Sequence, residues 1–263
     1  MPSETIETNS HTFVTIACLS DNYAFLLQDR ATGDVALIDV PEAAPVLAEL
    51  SARGWSLSQI WLTHHHPDHV QGLTQVLADH PAPVYGAAAD AHRLPDLDVA
   101  LNDGSSFTLG AAQVDVIDVS GHTLGHIAFH VPAARAAFTA DSLMALGCGR
   151  LFEGTPAQMH ASLEKTAAWP DETLICSGHE YTAANGTFAL TVDPDNAALH
   201  QRIRDIATAR AADRFTVPST LALERATNPY LRTSDPALRA TLGLQNASDA
   251  EVFAEVRARK DSF

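Results

Sequence analysis

Apolar residues come in short runs over the first two thirds of the chain and at helical spacing over the last third. Residues 13–19 and 23–28 are apolar runs separated by Ser20-Asp21-Asn22, which predicts a β-hairpin. Residues 35–40 form another strand, with Asp39 at its end. Residues 43–53 carry helical spacing and stop at Gly54. Residues 59–62 read as a buried strand. Val70, Leu73, Val76 and Leu77 then mark a helix reaching about Asp79. Short strands follow at 83–86, 113–119, 127–131 and 136–139. A helix over 158–169 opens near Pro156, and a last strand covers 174–176. From Tyr181 the strand pattern vanishes, and helices are predicted over 195–210, 218–226 and 248–260. The shift near residue 181 divides the chain into a mixed domain, 1–180, and a helical domain, 181–263.

Composition narrows the function. The 263 residues are 46% hydrophobic, enough for a sizeable core, and carry a formal net charge of −16. That charge argues against nucleic acid or an anionic membrane as a partner, and it makes any local cluster of cations informative. Lys165 and Lys260 are the only lysines. Cys18, Cys148 and Cys176 are odd in number and lack CxxC spacing, so they read as reduced thiols. Residues 1–10 are polar and acidic. No apolar run approaches the ~20 residues that span a bilayer. A soluble cytoplasmic protein is the expectation.

The chemistry concentrates at Thr63-His64-His65-His66-Pro67-Asp68-His69. Side chains at i and i+2 of an extended segment point the same way, so His64 and His66 can bind one ion while His65 faces away. Beyond Pro67 the chain has turned, so Asp68 and His69 can face a second ion. Three further strand ends carry metal-type residues: His122, Asp141 and His179. Ligands collect outside strand ends in α/β sheets, so these distant parts predict one shared site.

THHHPDH, Gly121–His126 (GHTLGH), FTADSL around Asp141 and SGHEYT around His179, in this order, resemble the metallo-β-lactamase superfamily. The segment GCGRLFEG over 147–154, TNPYLR over 227–232, Asp21-Asn22-Tyr23 and RARKD over 257–261 resemble its glyoxalase II family, the hydroxyacylglutathione hydrolases. The resemblance covers nearly the whole chain. It implies an α+β protein, a four-layered αβ/βα sandwich followed by a helical substrate-binding domain. It implies one metal on His64, His66 and His122, another on Asp68, His69 and His179, and Asp141 bridging both. Two divalent ions per chain are implied, Zn foremost, with Fe or Mn as alternatives.

The implied reaction is hydrolysis of S-D-lactoylglutathione to glutathione and D-lactate, a step of methylglyoxal detoxification. A hydroxide between the metals would attack the thioester carbonyl. Asp141 and Asp68 would be the catalytic carboxylates, Asp68 by orienting that hydroxide. Where the family has Lys and Tyr, this chain has Arg150 and Phe152, so one hydroxyl to glutathione is absent. Tyr181 matches. Arg257 and Lys260 match the terminal basic pair and, at i and i+3 of a helix, face one way. The partner expected is a small glutathione thioester, with the protein a monomer or weak oligomer.

Other residues read more plainly. His126 and Asp39 are expected to support ligands without binding metal. His65 is expected at solvent or in packing, and Cys148 as an inert buried thiol. Gly147 and Gly149 suit a tight turn beneath the substrate. A persulfide dioxygenase should need one iron, which the complete second ligand set disfavours. A lactonase should lack the segments from GCGR to RARKD. A non-catalytic metal-binding module would fail a single thioester assay.

Overall fold

Strand pairing sorts the chain into two sheets with a shared core. The computed structural model describes residues 3–263. One sheet holds seven strands in sequence order: β1 (Ser3–Glu7), β2 (His11–Cys18), β3 (Asn22–Asp29), β4 (Val35–Ile38), β5 (Gln59–Trp61), β6 (Val84–Ala87) and β7 (Val99–Leu101). Pairing is antiparallel from β1 to β4 and parallel from β4 to β7. Parallel neighbours need crossovers. Helix α1 (Ala43–Arg53) joins β4 to β5, and α2 (Pro67–Val70) with α3 (Leu73–Asp79) joins β5 to β6.

The second sheet contains β8 (Ser106–Leu109), β9 (Ala112–Asp118), β10 (Ile127–Val131) and β11 (Ala136–Ala140). A small hairpin follows, β12 (Leu143–Met144) and β13 (Gly147–Cys148), then α4 (Pro156–Glu164) and β14 (Leu174–Ser177). Helices α5 (Thr182–Val192) and α6 (Ala197–Ala211) come next, then β15 (Ser219–Thr220). The sheet order is β15-β14-β11-β10-β9-β8. Helices α7 (Leu221–Thr227), α8 (Pro236–Leu242) and α9 (Asp249–Asp261) complete the chain.

Alternation within β11 shows how the layers form. Ala136 and Phe138 enter the core shared with the first sheet, whereas Ala137 joins a second core with Met159, Leu163, Phe188 and Phe253. Strands buried on both faces read as continuous apolar runs, which is why β4 is wholly apolar and β11 holds Thr139 as its one polar residue. Trp61 of the first sheet meets Phe129 and Phe138 of the second, with ring centroids 5.3 and 6.2 Å apart. Helix α1 lays Ala43, Val46 and Leu50 against the first sheet, while α4 and the C-terminal helices cover the second. The result is the four-layered sandwich the sequence led one to expect. No helix among the described residues is long and apolar enough to cross a membrane.

Three expectations need correction. Strands do not end at Tyr181, because β15 pairs antiparallel with β14; a two-residue strand leaves no periodic trace. The single helix after the histidine run is two, parted at Gln71-Gly72. Gly72 donates its N–H to Val40 O, and a Cβ there would sit 2.8 Å from Ala43 N, so helix packing on the strand end breaks the helix. Helices α5 and α8 were not foreseen. Helix α5 is mostly apolar and includes Gly186 and β-branched residues, which blur a helical stripe. Helix α8 does carry readable signals: Asp235 caps it, Pro236 opens it and Gly243 closes it at φ 75°.

All three cysteines are free and buried. Burial pushes the Cys18 thiol up to about 12, with Glu42 adding to it, and pushes Cys148 up to about 12 against the pull of Arg257. Burial alone raises Cys176. The native protein at pH 8 should therefore react negligibly with a thiol-specific reagent, and unfolding should release all three thiols. Rapid stoichiometric reaction of the folded protein would contradict this packing.

Candidate metal centre

One end of the sandwich gathers the strand ends that carry metal-type residues. After β5 the chain stays extended to His66 (φ −61°, ψ 140°), where Pro67 opens α2. His64 and His66 consequently share a side. His64 Nε2 lies 3.1 Å from His66 Nδ1, and His122 Nε2, from the turn between β9 and β10, lies 2.9 Å from the same atom. A tetrahedral zinc with Zn–N of about 2.0–2.1 Å needs ligand nitrogens roughly 3.3 Å apart. The trio has close to that spacing before any ion is considered. His65 points the other way and packs its Nδ1 2.8 Å from Asp90 Oδ2.

A second trio adjoins the first. Asp68 Oδ2 is 3.9 Å from His69 Nε2 and 3.5 Å from His179 Nε2. Asp141, just past β11, spans both trios. Its Oδ2 lies 3.4 Å from His122 Nε2 and 3.3 Å from His179 Nε2, and its Oδ1 lies 3.5 Å from His69 Nε2. Among the described residues, His69 Nε2 and Asp141 Oδ1 are buried without a hydrogen-bond partner. Such orphaned groups cost about 1–3 kcal/mol each unless something pairs them. Cations placed within the trios would pair both, so the donor set fits two divalent ions.

The opposite ring nitrogens are fixed by acceptors. His122 Nδ1 donates to Arg150 O (2.7 Å), His69 Nδ1 to Asp39 Oδ2 (2.8 Å) and His179 Nδ1 to Asp21 Oδ1 (2.9 Å). Each Nδ1 therefore holds a proton, and each Nε2 is the ring atom turned to the centre. Asp39 also accepts from Thr63 N and Thr63 Oγ1, so its oxygens are committed to orienting ligands. His126 stacks on His64 with centroids 4.6 Å apart, and its Nε2 accepts the Asp141 N–H. Asp39 and Ala140 hold left-handed backbone at φ 54° and 40°, strain of the kind that collects at functional sites. Gly149 and Gly178 have no room for a Cβ: it would meet Asp141 O at 2.0 Å and Asp141 Oδ1 at 2.5 Å, respectively.

Electrostatics divides the histidines. Burial, helped by neighbouring histidines, keeps His64 well below its usual value, brings His66 to about 4 and His126 to about 3, and lowers His122 despite Asp141. These rings are neutral at pH 7. Burial opposes charge on His179 too, but Asp141, Asp21 and Asp68 together raise it to about 9. His69 is likewise raised, by Asp141 and Asp39 against burial. Burial also opposes charge on Asp141, yet His69 and His179 hold its carboxyl far below the usual carboxylate range.

A cavity of about 680 Å³ is lined by His66, Asp68, His122, Asp141 and His179, and equally by Arg150, Phe152, Tyr181, Arg257 and Lys260. Phe152 sets its ring edge against His66 and His122, at 5.6 and 5.3 Å. Tyr181 stacks flat on His179 at 4.7 Å. Arg150 stands exposed near Asp261. Arg257 is only 6% exposed: its Nη1 donates to Cys148 O at 3.1 Å, its Nη2 pairs with Asp261 at 2.8 Å, and its Nε has no partner. Lys260 makes no ion pair among the described residues and lies 5.3 Å from the rings of Phe188 and Phe263. Asn22 entered the sequence reading only within the Asp21-Asn22-Tyr23 run, with no role; its Nδ2 donates to Asp68 O and to Asp68 Oδ2, both at 3.0 Å. The Ser20-Asp21-Asn22 turn was visible, but its contact with residue 68 was not.

Family models match two adjoining stretches: the metallo-β-lactamase superfamily over residues 20–179 and the hydroxyacylglutathione hydrolase C-terminus over residues 180–263. The chain is 66% identical over 250 residues to a hydroxyacylglutathione hydrolase of Roseobacter denitrificans, covering 95% of this chain and 98% of that one. It is 63% identical, with the same coverage, to a hydroxyacylglutathione hydrolase of Ruegeria pomeroyi. Among solved structures it is similar to TTHA1623 in a di-iron-bound form, at 25% identity and TM-score 0.59, covering 82% of this chain and 98% of that one.

Gly178→Ala tests how tightly the centre is built. The new methyl would press on Asp141 Oδ1 and on His69 Cε1, 2.7 Å away, without touching the apolar core. The variant should fold and lose metal affinity by roughly 10–100-fold, read by metal analysis after chelator dialysis. Wild-type metal retention would contradict the assigned geometry.

Proposed function

The chain belongs to the hydroxyacylglutathione hydrolase family of the metallo-β-lactamase superfamily, and we propose that it cleaves S-D-lactoylglutathione to glutathione and D-lactate at a binuclear centre. It is a thioester hydrolase. The observation that carries the two-ion reading is Asp141, a buried carboxylate lying within 3.5 Å of ring nitrogens from both trios with one oxygen unpaired. His64, His66 and His122 would hold one ion, Asp68, His69 and His179 the other, and Asp141 both. The donor set suits Zn, with Fe or Mn as alternatives. The 25%-identical structure, in its di-iron-bound form, supports two ions over one. When bound, such ions supply a water of near-neutral pKa and a Lewis acid for the carbonyl oxygen.

The chain's own residues do the rest. Burial disfavours charge on Asp68, but the Asn22 amide and the charges of His69 and His179 hold its carboxyl below the usual range, so it is ionised at neutral pH. Asn22 also fixes its direction, and its side chain keeps 41% exposure toward the cavity. Asp68 is therefore placed to take a proton as the attacking water's oxygen bonds to the thioester carbon. The C–S bond then breaks, and that proton leaves with the glutathione sulfur as the thiol. Burial and the Asp21 carboxylate push the Tyr181 hydroxyl up to about 12, so it stays a donor for the substrate. Phe152 offers only an apolar edge beside His66 and His122, a wall for the acyl side or the thioester sulfur.

Glutathione carries carboxylates, and in a chain of net −16 its recognition needs local cations. Lys260 is the unpaired cation of the cavity, with Arg150 at the exposed rim. Arg257 supports the cavity wall as much as the substrate, because it is buried on Cys148 O and Asp261. Residues 1–180 would thus be the catalytic domain and residues 181–263 the substrate-binding domain. Three free buried thiols support a cytoplasmic location, and the acidic surface supports a small-molecule substrate over nucleic acid or membrane. A monomer or weak oligomer suffices, since one chain supplies every residue of the site.

The metal-loaded protein should release free thiol from S-D-lactoylglutathione, lose that activity to a chelator, and regain it with zinc. Absence of thiol release from the loaded protein would overturn the reading. Lys260→Ala removes a charge remote from the reacting carbonyl. A charge-assisted hydrogen bond contributes about 1.5–3 kcal/mol, so KM should rise about tenfold or more with kcat changed by less than about twofold. An unchanged KM would remove Lys260 from glutathione binding.

A further inference from the structure

The segment from Leu143 to Arg150 carries no metal ligand, yet each residue from Met144 to Cys148 has a backbone group bound by a side chain from the C-terminal helices or the residue that follows α7. Asn185 of α5 donates to Ala145 O at 3.1 Å. Glu224 of α7 accepts from Leu146 N at 2.9 Å. Asn228, which follows α7, donates from Nδ2 to Met144 O and to Gly147 O, both at 3.0 Å, with Glu224 Oε2 at 3.1 Å. Arg257 of α9 donates to Cys148 O. Leu146 is held at φ 57°, a conformation a leucine adopts only under such constraint. Two residues on, Arg150 O is the acceptor that fixes His122 Nδ1.

What holds Glu224 and Asn228 is itself buried. Glu224 and Asn228 are both fully buried, and Arg202 of α6 pairs with Glu224 and donates to Thr227 Oγ1 at 2.7 Å. Ser219 of β15 also donates to Glu224. Removing an ion pair from water carries a large desolvation cost, so a buried pair is weak evidence for stability and better evidence for a fixed arrangement. Here the arrangement ends at a backbone segment that leads to a histidine of the metal centre.

We propose that Asn228 and Glu224 are positioning residues for His122: they fix the 143–150 segment, which presents Arg150 O to His122 Nδ1 and thereby aims Nε2 at the centre. The carbonyl can only accept, so the ring is locked with its proton on Nδ1. Two contacts reinforce the coupling. Phe152 N donates to His122 O, and Gly149 leaves no space for a Cβ between Asp141 O and the His122 ring. The helical domain that would grip glutathione therefore also sets one metal ligand. This inference rests on the metal-centre reading through His122 alone.

Zinc retention separates the two ideas. Asn228→Ala removes both carbonyl contacts and touches neither metal nor substrate. It should stay folded by circular dichroism, surrender zinc to a chelator about tenfold more readily than wild type, and shift the visible spectrum of its cobalt form. Its kcat should fall while KM changes little. Asn185→Ala frees Ala145 O but also alters the cavity wall, so it is read by zinc retention and cobalt spectrum alone; both should shift as in Asn228→Ala but more weakly, and they decide the matter if Asn228→Ala does not fold. In the zinc-loaded wild type, nitrogen NMR should find His122 protonated on Nδ1. Wild-type zinc retention and cobalt spectrum in the folded variants, or an unprotonated Nδ1 in wild type, would overturn the proposal. A wild type that binds no zinc would instead sink the metal-centre reading.

Discussion

A carboxylate largely withdrawn from water must find positive charge, and Asp141 sets that demand where the ends of the two sheets meet. Taking such a group out of water costs several kcal/mol even after the protein relaxes. Burial therefore works against its charge, and His69 and His179 more than offset that, at 3.5 and 3.3 Å. In the metal-free chain the protons on those two rings supply the compensation, which is why both are raised while His64, His66 and His122 are lowered. Divalent ions would replace those protons and also pair Asp141 Oδ1. The absence of side chains at Gly149 and Gly178 follows from packing the backbone against this one residue.

Rigid surroundings make the demand useful. Trp61, Phe129 and Phe138 bind the sheets to each other through faces buried from both sides. β5, β11 and β14 thus deliver His64, Asp141 and His179 from a packed scaffold. Acceptors behind the rings, Asp39, Asp21 and Arg150 O, leave the Nε2 atoms of His69, His179 and His122 facing the centre. The C-terminal helices share this scaffold. Phe188, Phe253 and Val256 lie in one apolar core with Ala137 and Ile175 of the second sheet, and β15 extends that sheet.

Much of this was legible in the sequence, for physical reasons. The i and i+2 spacing of His64 and His66 survives because Pro67 ends the extended segment at the right place. The recurrence of His or Asp after an apolar run marked the strand ends, since strands buried on both faces are mostly apolar and a charged or imidazole side chain stands out after them. Helix α1 stood out through its apolar stripe and Gly54. What was hidden depends on contacts between distant residues. Arg257 read as a cation offered to glutathione beside Lys260, but Cys148 O, Asp261 and the Tyr230 face enclose it. Asn22 and Asn228 act through backbone atoms of other segments, which no local pattern encodes. Helix α5 was missed because burial on several faces erases the stripe that periodicity detects.

The most direct test of the central claim is anomalous diffraction at the metal edges from crystals of the active, metal-loaded protein. Two peaks about 3.5–4 Å apart are expected, flanking Asp141, with His64, His66 and His122 around one and Asp68, His69 and His179 around the other. A single fully occupied peak in an active crystal, or a peak seated on Asp39 instead, would contradict the account.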